Sequence, residues 1–391
     1  MKKLIIAAFL FVSIITTNAL AEIKIGIILG FTGPIESLTP AMRDSAKLAF
    51  KEASDSGSLL GGETITVLEG DSTCVDSAAA QAVATKLVSD GVAAIMGADC
   101  SGVTGAIATN VAVPNGVVMI SPSATSPGLT DLDDRGLFFR TAPSDARGGQ
   151  ILADITKDRG VKSVAITYTN NDYGKGLADA FVTAYEALGG TVTVLAGHDD
   201  DKADYSADVA ALSAGGSATL AVFGYEGTGG RGIISASEDT GAFDNYVFGD
   251  GMISPVTSGA VADGSWGTLP SPGPILGANW QAVAAAGGVD GTGVFSAESY
   301  DAMALIILAS QAAGGTDRAA IQAQVMNIAN APGIQCHAGE LGTCLKYISG
   351  GLVVDYVGAT GVELDAGGTA NGSYAEREVM GGVFTNVKIH K

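Results

Sequence analysis

Residues 23–29 read Ile-Lys-Ile-Gly-Ile-Ile-Leu, and a loop rich in glycine and proline, Gly30 to Pro34, follows them. An almost uninterrupted apolar run with β-branched residues is typical of a strand that is buried on both faces of a sheet. Apolar residues then recur at helical spacing from Ala41 to Ala53. A buried strand, a short loop and a helix together form the repeating unit of a parallel α/β sheet.

The same alternation of strand and helix patterns extends outward along the chain. It runs from Thr64 to Ser121, pauses around Arg140–Pro143, and starts again at Ser163. We therefore predict an α/β fold with two doubly wound parallel-sheet lobes. The proline- and glycine-rich stretch Ser265–Pro274 predicts a crossover or hinge between them. The expected division is a signal peptide at 1–21, a first lobe at 22–141 plus 271–369, and a second lobe at 142–270 plus 370–391.

The first 21 residues have the pattern of a secretory signal peptide. Lys2 and Lys3 precede an apolar run from Leu4 to Ile15, and Ala19 and Ala21 occupy the small-residue positions of a cleavage site. A transmembrane anchor is the alternative, but the run is shorter than the roughly 20 residues that a bilayer requires. We expect cleavage after Ala21 and an exported, soluble, periplasmic protein.

Composition and charge narrow the functional classes. Hydrophobic residues make up 47% of the 391 residues, so the chain can bury large cores. Asp and Glu number 41 against 21 for Lys and Arg, giving a net charge of −20. A field of this sign repels phosphate backbones, so no nucleic-acid partner is expected. A small-molecule pocket can still differ in sign from the whole.

Four cysteines are consistent with an oxidising compartment. Three pairings are possible, and our interpretation favours Cys74 with Cys100 and Cys336 with Cys344. A zinc site is the alternative, but the sequence lacks a CxxC pair and only His337 lies near these cysteines. We therefore predict two disulfides and no metal.

Polar loops follow the predicted strands in both halves of the chain. Ligands of open parallel sheets bind beyond the carboxyl ends of the strands. The first half places hydroxyl groups there, in Gly97–Gly102 and Ser121–Pro127, and these suit a carboxylate. The second half places tyrosines and carboxylates there, in Thr169–Gly174, Gly224–Gly227 and Gly249–Gly251, and these suit an apolar body and an ammonium group. A ligand that matches both sets of groups is an amino acid. The alternative is that these loop residues serve only as helix caps, packing groups or turn residues.

The same loops carry a family resemblance. The chain resembles the leucine/isoleucine/valine-binding family, the periplasmic solute receptors of ABC importers, from about Glu22 to Val383. The resemblance implies a type I periplasmic-binding fold, lobe closure around an amino acid, and delivery of that ligand to a membrane permease by a monomer. The stretches that carry it are Phe31-Thr-Gly-Pro-Ile35, Gly97-Ala-Asp-Cys-Ser101, Met119-Ile-Ser-Pro-Ser-Ala-Thr-Ser-Pro127 and Asn171-Asp-Tyr-Gly-Lys-Gly176.

By this resemblance, the head group of the ligand would meet residues of both lobes. Ser101 and Thr125 would hold its carboxylate through hydroxyl and backbone N–H groups. The Ser123 carbonyl and the Asp250 carboxylate would hold its ammonium group. The family also has a disulfide in its first lobe that corresponds to Cys74–Cys100.

The resemblance also implies the residues around the ligand's side chain. Tyr173 and Tyr225 would close over the ligand from the second lobe, and Tyr300 would line the rim. Two positions depart from the best-known members, which have Trp where this chain has Leu38 and Glu where it has Asp250. Leu38 changes the pocket for the ligand's side chain, so the resemblance does not decide which amino acid is recognised.

A few sequence patterns bear on whether the protein is an enzyme. Gly227–Gly232 is a literal GxGxxG that follows a predicted strand and precedes a helix, with Asp250 downstream, as in dinucleotide-binding enzymes. Asp199–Asp201 is too short for an EF-hand loop, and none of the three histidines neighbours a plausible nucleophile. We predict binding without catalysis and without a cofactor. The alternatives are an amino-acid or amide sensor, which would need a separate signalling partner, and a dinucleotide-binding enzyme.

Overall fold

The computed structural model describes residues 22–391, so the predicted signal peptide lies outside the described residues. The strands are β1 Ile23–Leu29, β2 Ile65–Asp71, β3 Ala94–Gly97, β4 Val118–Ser121, β5 Phe138–Arg140, β6 Ser163–Thr169, β7 Thr191–His198, β8 Thr219–Phe223, β9 Asn245–Phe248, β10 Trp266–Ser271, β11 Ile334–His337, β12 Val354–Gly358, β13 Ser373–Met380 and β14 Val383–His390. The helices are α1 Thr39–Asp55, α2 Ser77–Ser89, α3 Ser101–Ile107, α4 Asp145–Asp158, α5 Asp172–Ala187, α6 Ser206–Ser213, α7 Gly229–Thr240, α8 Pro255–Ser258, α9 Gly273–Gly287, α10 Ser296–Ala313, α11 Arg318–Ala329 and α12 Leu341–Ser349.

The first sheet is parallel and has the strand order β2-β1-β3-β4-β5. The quoted stretch 23–29 forms β1 with the predicted bounds, and its isoleucines are buried. The strand order reverses between β1 and β3, where the two strands approach closely. Gly97, with φ of +120°, ends β3 there, and a Cβ atom on it would lie 2.0 Å from the Ile28 carbonyl oxygen. Only glycine permits this approach.

The second sheet has the order β14-β13-β10-β9-β8-β6-β7, and β13 and β14 are antiparallel additions to a parallel core. Its strand order reverses between β6 and β8. The stretch Ser265–Pro274, expected to be a crossover or hinge, contains a strand that was not predicted, because Trp266–Ser271 forms β10 before the chain passes to α9. Only Trp266 and Gly267 pair with β9, so Pro270 has β13 as its one neighbour. Proline has no backbone N–H, and its absence is least unfavourable where no strand lies on the other side to accept a hydrogen bond.

The prediction of two parallel-sheet lobes joined by a hinge is confirmed. Helices α1, α10, α11 and α12 pack together on the first lobe, and α4 packs along α5 on the second. Strand β5 and helix α4 were not predicted, because β5 has only three residues and the adjacent Gly148 and Gly149 in α4 disfavour a helix. The lobe boundaries at 141, 270 and 369 stay predictions. Within residues 22–391, no helix combines the length and apolar character that a bilayer crossing requires.

Candidate functional site

A small cavity lies between the lobes at the carboxyl ends of their strands. Asp99 and Ser101 follow β3, Tyr173 follows β6 and Tyr225 follows β8, so residues beside both strand-order reversals reach it. The cavity volume is about 30 Å³, room for roughly two water molecules. The lobes are thus closed on each other. The lining residues are Ile35, Leu38, Met42, Asp99, Cys100, Ser101, Ser123, Tyr173, Tyr225, Asp250, Gly251 and Phe295.

Asp99 organises the first-lobe wall of the cavity. One carboxylate oxygen accepts a hydrogen bond from the Gly30 N–H at 2.6 Å. The other accepts from the Ser72 hydroxyl at 3.0 Å and from the Cys100 N–H at 2.9 Å. Burial raises the pKa of Asp99, and these hydrogen bonds act in the opposite direction. Asp99 therefore ties the loop that carries Ser101 to its neighbours.

Three residues of the first lobe were expected to meet the ligand, Ser101 and Thr125 through hydroxyl and backbone N–H groups and Ser123 through its carbonyl. The Ser101 hydroxyl accepts a hydrogen bond from the Ser126 N–H at 3.1 Å, which leaves its own hydrogen free to donate. The Ser123 hydroxyl donates to the Asp99 carbonyl at 3.1 Å. Thr125 is buried but does not line the cavity.

Arg140 holds the loop that contains these hydroxyl groups, and sequence reasoning did not identify it. It is fully buried, and its guanidinium donates to the Ala124 carbonyl at 3.1 Å and to the Ser126 carbonyl at 2.8 Å. It also donates to the Thr369 hydroxyl at 3.0 Å. Burial lowers the pKa of Arg140. The buried guanidinium of Arg140 thus fixes the position of this loop.

The second-lobe wall consists of a stacked tyrosine pair and Asp250. The rings of Tyr173 and Tyr225 lie 5.1 Å apart and nearly parallel. The Tyr173 hydroxyl donates to Asp250 at 2.9 Å and accepts from the Gly251 N–H at 3.0 Å. Burial raises the pKa of Asp250 to about 6, although the Tyr173 hydrogen bond lowers it. A cation beside Asp250 would relieve this cost of burial.

Asp145 is a second buried carboxylate, close to Asp250 but outside the lining of the cavity, and the sequence analysis missed it. It begins α4, its N–H donates to the Thr125 carbonyl at 2.9 Å, and one of its carboxylate oxygens has no hydrogen-bond partner in the described chain. Burial raises its pKa well above the ordinary value, and the charge of Asp250 adds to that effect. In sequence, Ser144-Asp145 indicates only a helix start. The two carboxylates together favour a bound cation.

The remaining wall of the cavity is apolar, and one predicted residue is absent from it. Leu38 lines the cavity together with Ile35, Met42 and Phe295. The expectation that Tyr300 lines the rim is wrong. Tyr300 is fully buried inside the first lobe, where its hydroxyl donates to Glu52 at 2.5 Å. Helix α10 is buried on all sides, so Tyr300 points into the core, and Phe295, just before the helix, reaches the cleft instead.

Direct contacts join the two lobes beside the cavity. The Ser37 hydroxyl of the first lobe donates to Glu226 of the second, and the Gly227 N–H donates to the Pro34 carbonyl at 3.0 Å. Within the second lobe, Glu226 also accepts from the Ser254 hydroxyl at 2.5 Å, which holds its carboxylate in place. Glu226 therefore serves the contact between the lobes without lining the cavity.

The GxGxxG stretch has another explanation in the structure. The Asp200 carboxylate accepts from the Thr228 hydroxyl at 2.9 Å and from the Gly229 N–H at 3.2 Å, at the start of α7. It thereby occupies the position that a pyrophosphate would take. A Cβ atom at Gly232 would lie 2.3 Å from the Tyr205 ring. The glycines therefore permit close packing within the second lobe, and this helix start offers no dinucleotide site.

Both predicted disulfides are confirmed, Cys74–Cys100 and Cys336–Cys344. The first joins the loop after β2 to the cavity wall, because Cys100 lines the cavity. The second lies in the small two-stranded part of the first lobe. The part of the chain described here contains no group of three or more His, Cys, Asp or Glu placed to hold a metal ion.

Known proteins share this fold and much of this sequence. The profile of the periplasmic binding protein family matches residues 22–333. The Leu/Ile/Val-binding protein homolog 1 of Brucella melitensis is 32% identical over 263 residues, which are 66% of this chain and 68% of that relative. The branched-chain amino acid transporter substrate binding protein LivJ from Streptococcus pneumoniae, in complex with isoleucine, has a TM-score of 0.76 and 23% identity, and the match covers 94% of this chain and 99% of LivJ.

A solute binding protein of an ABC transporter from R. palustris, in complex with 4-hydroxybenzoate, is similar to the same degree. Its TM-score is 0.76 at 20% identity, and the match covers 95% of this chain and 97% of that one. The resemblance to leucine/isoleucine/valine-binding proteins is confirmed by the sequence relatives. The chain belongs to the periplasmic binding protein family.

Proposed function

We propose that this protein is the exported substrate-binding component of an ABC importer, and that it captures an α-amino acid with a branched aliphatic side chain. The observation that carries this proposal is Asp250, a buried carboxylate that lines the cleft, together with the buried carboxylate of Asp145 that interacts with it. The carboxylates suit an ammonium group, and the Ser101 hydroxyl, which lines the same cleft, suits a carboxylate. The names of the sequence relatives support the same ligand class.

The apolar wall supports an aliphatic side chain. Ile35, Leu38, Met42 and Phe295 offer no charged or hydroxyl group to a ligand side chain. A hydrophobic pocket favours a side chain by the apolar area that it buries. Leu38 leaves more room than the Trp of the best-known family members, so leucine and isoleucine are the first ligands to test.

Uptake would follow lobe closure. Because the closed cavity holds only about 30 Å³, an amino acid enters only when the lobes separate. The ligand would seat on the hydroxyl groups of the first lobe, and Tyr173, Tyr225 and Asp250 would then close over it. Hinge closure around a ligand is the known behaviour of periplasmic binding proteins. The closed monomer would then deliver the amino acid to a membrane permease, without catalysis or a cofactor.

A thermal-shift screen tests this function. The panel contains the common amino acids, 4-methylpentanoate, which is leucine without its ammonium group, and 4-hydroxybenzoate. A ligand at a thousandfold excess over its Kd stabilises the protein by about 4 kcal/mol. Leucine or isoleucine should raise Tm, and 4-methylpentanoate should not, because it leaves Asp145 and Asp250 without a cation. A rise with 4-hydroxybenzoate and with no amino acid would contradict the proposal.

A further inference from the structure

A second and larger cavity lies at the hinge. Its volume is about 510 Å³, and it shares only Phe295 with the small cavity between the lobes. The hinge segment 269–274, the loop before α10, and strands β13 and β14 form its walls. The first-lobe helix α10 and the second-lobe sheet therefore face the same space.

Glu298 lies in the first-lobe wall of this hinge cavity. The residue is 5% exposed, and its carboxyl group makes no hydrogen bond to another residue of the described chain. Only its backbone carbonyl is engaged, by the Thr141 hydroxyl at 2.8 Å, where the chain crosses between the lobes. Burial raises the pKa of Glu298 to about 8. A buried carboxyl group without a partner is unfavourable and lacks a structural explanation here.

Arg377 lies in the opposite wall, on β13 of the second lobe. Its Nε is buried without a hydrogen-bond partner, and its guanidinium forms no ion pair within residues 22–391. Its neighbours along the strand, Glu376 and Glu378, both pair with Arg159 instead, at 2.7 Å and 2.6 Å. Because side chains alternate along a strand, Arg377 faces away from that ion pair. Lys388 of β14 adds a second basic group to the same wall.

Aromatic rings separate this cavity from the amino-acid cleft. Trp280 lines it, and its indole N–H donates to the Gly291 carbonyl at 3.1 Å, so the ring is held in place. Phe295 has a backbone φ of +56°, which non-glycine residues rarely adopt. Such backbone strain persists where surrounding structure enforces it and often accompanies binding sites. Here it places the ring between the two cavities.

We propose that the hinge cavity is a second small-molecule site that takes a compact zwitterion, with its ammonium group at Glu298 and its carboxylate toward Arg377 and Lys388. The unpaired acid belongs to one lobe and the unpaired base to the other, so the ligand bridges the lobes. It therefore binds best at one degree of closure. By linkage, its occupancy changes the affinity of the amino-acid cleft, and the cleft ligand changes its affinity equally. This inference does not depend on which ligand the cleft takes.

The test is calorimetric titration with ω-amino acids, namely glycine, β-alanine, 4-aminobutanoate and 6-aminohexanoate. Wild type, Glu298→Gln and Asp250→Asn are compared. At least one probe should bind wild type, and Glu298→Gln should weaken it at least about tenfold, because a charge-assisted hydrogen bond is lost. Asp250→Asn, which alters the cleft, should change this affinity much less than Glu298→Gln does, because it reaches the hinge cavity only through lobe closure. Binding near pH 7 should also release a proton from Glu298, measured by repeating the titration in buffers of different ionisation enthalpy.

Three results would overturn the inference: no probe binds wild type, Glu298→Gln binds the probe as wild type does, or Asp250→Asn abolishes its binding, which would place the probe in the cleft. Gln has nearly the shape of the neutral Glu298 carboxyl group, so the variant should fold. If the unfolding curve shows that Glu298→Gln does not fold, Arg377→Gln replaces it in the same test, because Arg377 lies in the opposite and more exposed wall of the cavity. Leucine titrations on the same proteins test the cleft separately, so the two proposals fail independently.

Discussion

Replacing Asp250 by asparagine is expected to stabilise the folded protein and to weaken amino-acid binding at the same time. Asp250 is 6% exposed, and burial raises its pKa from 3.8 to about 6. Asparagine keeps the shape of the side chain and an oxygen that accepts the Tyr173 hydrogen bond. It lacks the charge, which near Asp145 is unfavourable while the cleft holds no cation.

The size of the stabilisation follows from the pKa. One pKa unit corresponds to about 1.4 kcal/mol, so ionised Asp250 destabilises the folded state by up to about 3 kcal/mol at pH 7. The unfolded chain loses this proton near pH 4 and the folded protein near pH 6. Stability of the wild type therefore falls as pH rises through this window. Asp250→Asn should be more stable than wild type at pH 7 and equal to it at about pH 4.

Binding should change in the opposite direction. A charge-assisted hydrogen bond contributes about 1.5–3 kcal/mol, so the variant should bind leucine or isoleucine about 10- to 150-fold more weakly. Asp145 retains part of the attraction for the ammonium group. Urea unfolding at pH 4 and pH 7 measures stability, and titration calorimetry at pH 7 measures affinity.

Asp301→Asn is the matched control. Burial also raises the pKa of Asp301 to about 6, but this residue lies in the first-lobe core. Its two oxygens accept from the backbone N–H groups of Ala359 and Thr360. An amide nitrogen would leave one of these donors unpaired, so the control should lose stability and keep ligand affinity. Loss of stability in Asp250→Asn at pH 7, or unchanged affinity, would refute the ammonium role.

Ser37→Ala removes the hydroxyl that joins the first lobe to Glu226. The variant should bind the amino acid more weakly and should have a larger radius of gyration in X-ray scattering. Unchanged affinity and scattering would contradict a role of this contact in lobe closure. Removal of either disulfide by paired serine substitutions should lower the unfolding free energy by about 2–4 kcal/mol. Only removal of Cys74–Cys100, which reaches the cavity, should also lower ligand affinity. An equal loss of affinity on removal of Cys336–Cys344 would contradict this prediction. N-terminal sequencing of the exported protein should begin at Glu22, and a protein that still begins at Met1 would disprove cleavage after Ala21.

Local patterns predicted the elements that lie in sheet centres. The apolar run at 23–29 is β1 with the same bounds. The rule for open sheets placed Ser101, Tyr173 and Tyr225 at one cleft, because parallel strands bring all their carboxyl ends to the same edge. The position that the family resemblance implied for Tyr300 was wrong. An apolar helix that is buried on every side has no face that periodicity can assign.

The amino-acid sequence by itself determined the fold class and the loops that meet at the cleft, because each depends on a burial pattern or loop order that is visible along the chain, whereas it only favoured the disulfide pairs among three possible pairings. The tertiary structure decided which charges matter. Asp145 and Asp250 come close enough to interact, and Glu298 and Arg377 line one cavity, only in the folded chain, and burial then changes their pKa values. Electrostatic cost depends on which distant groups share a space from which water is excluded, and no local pattern records that.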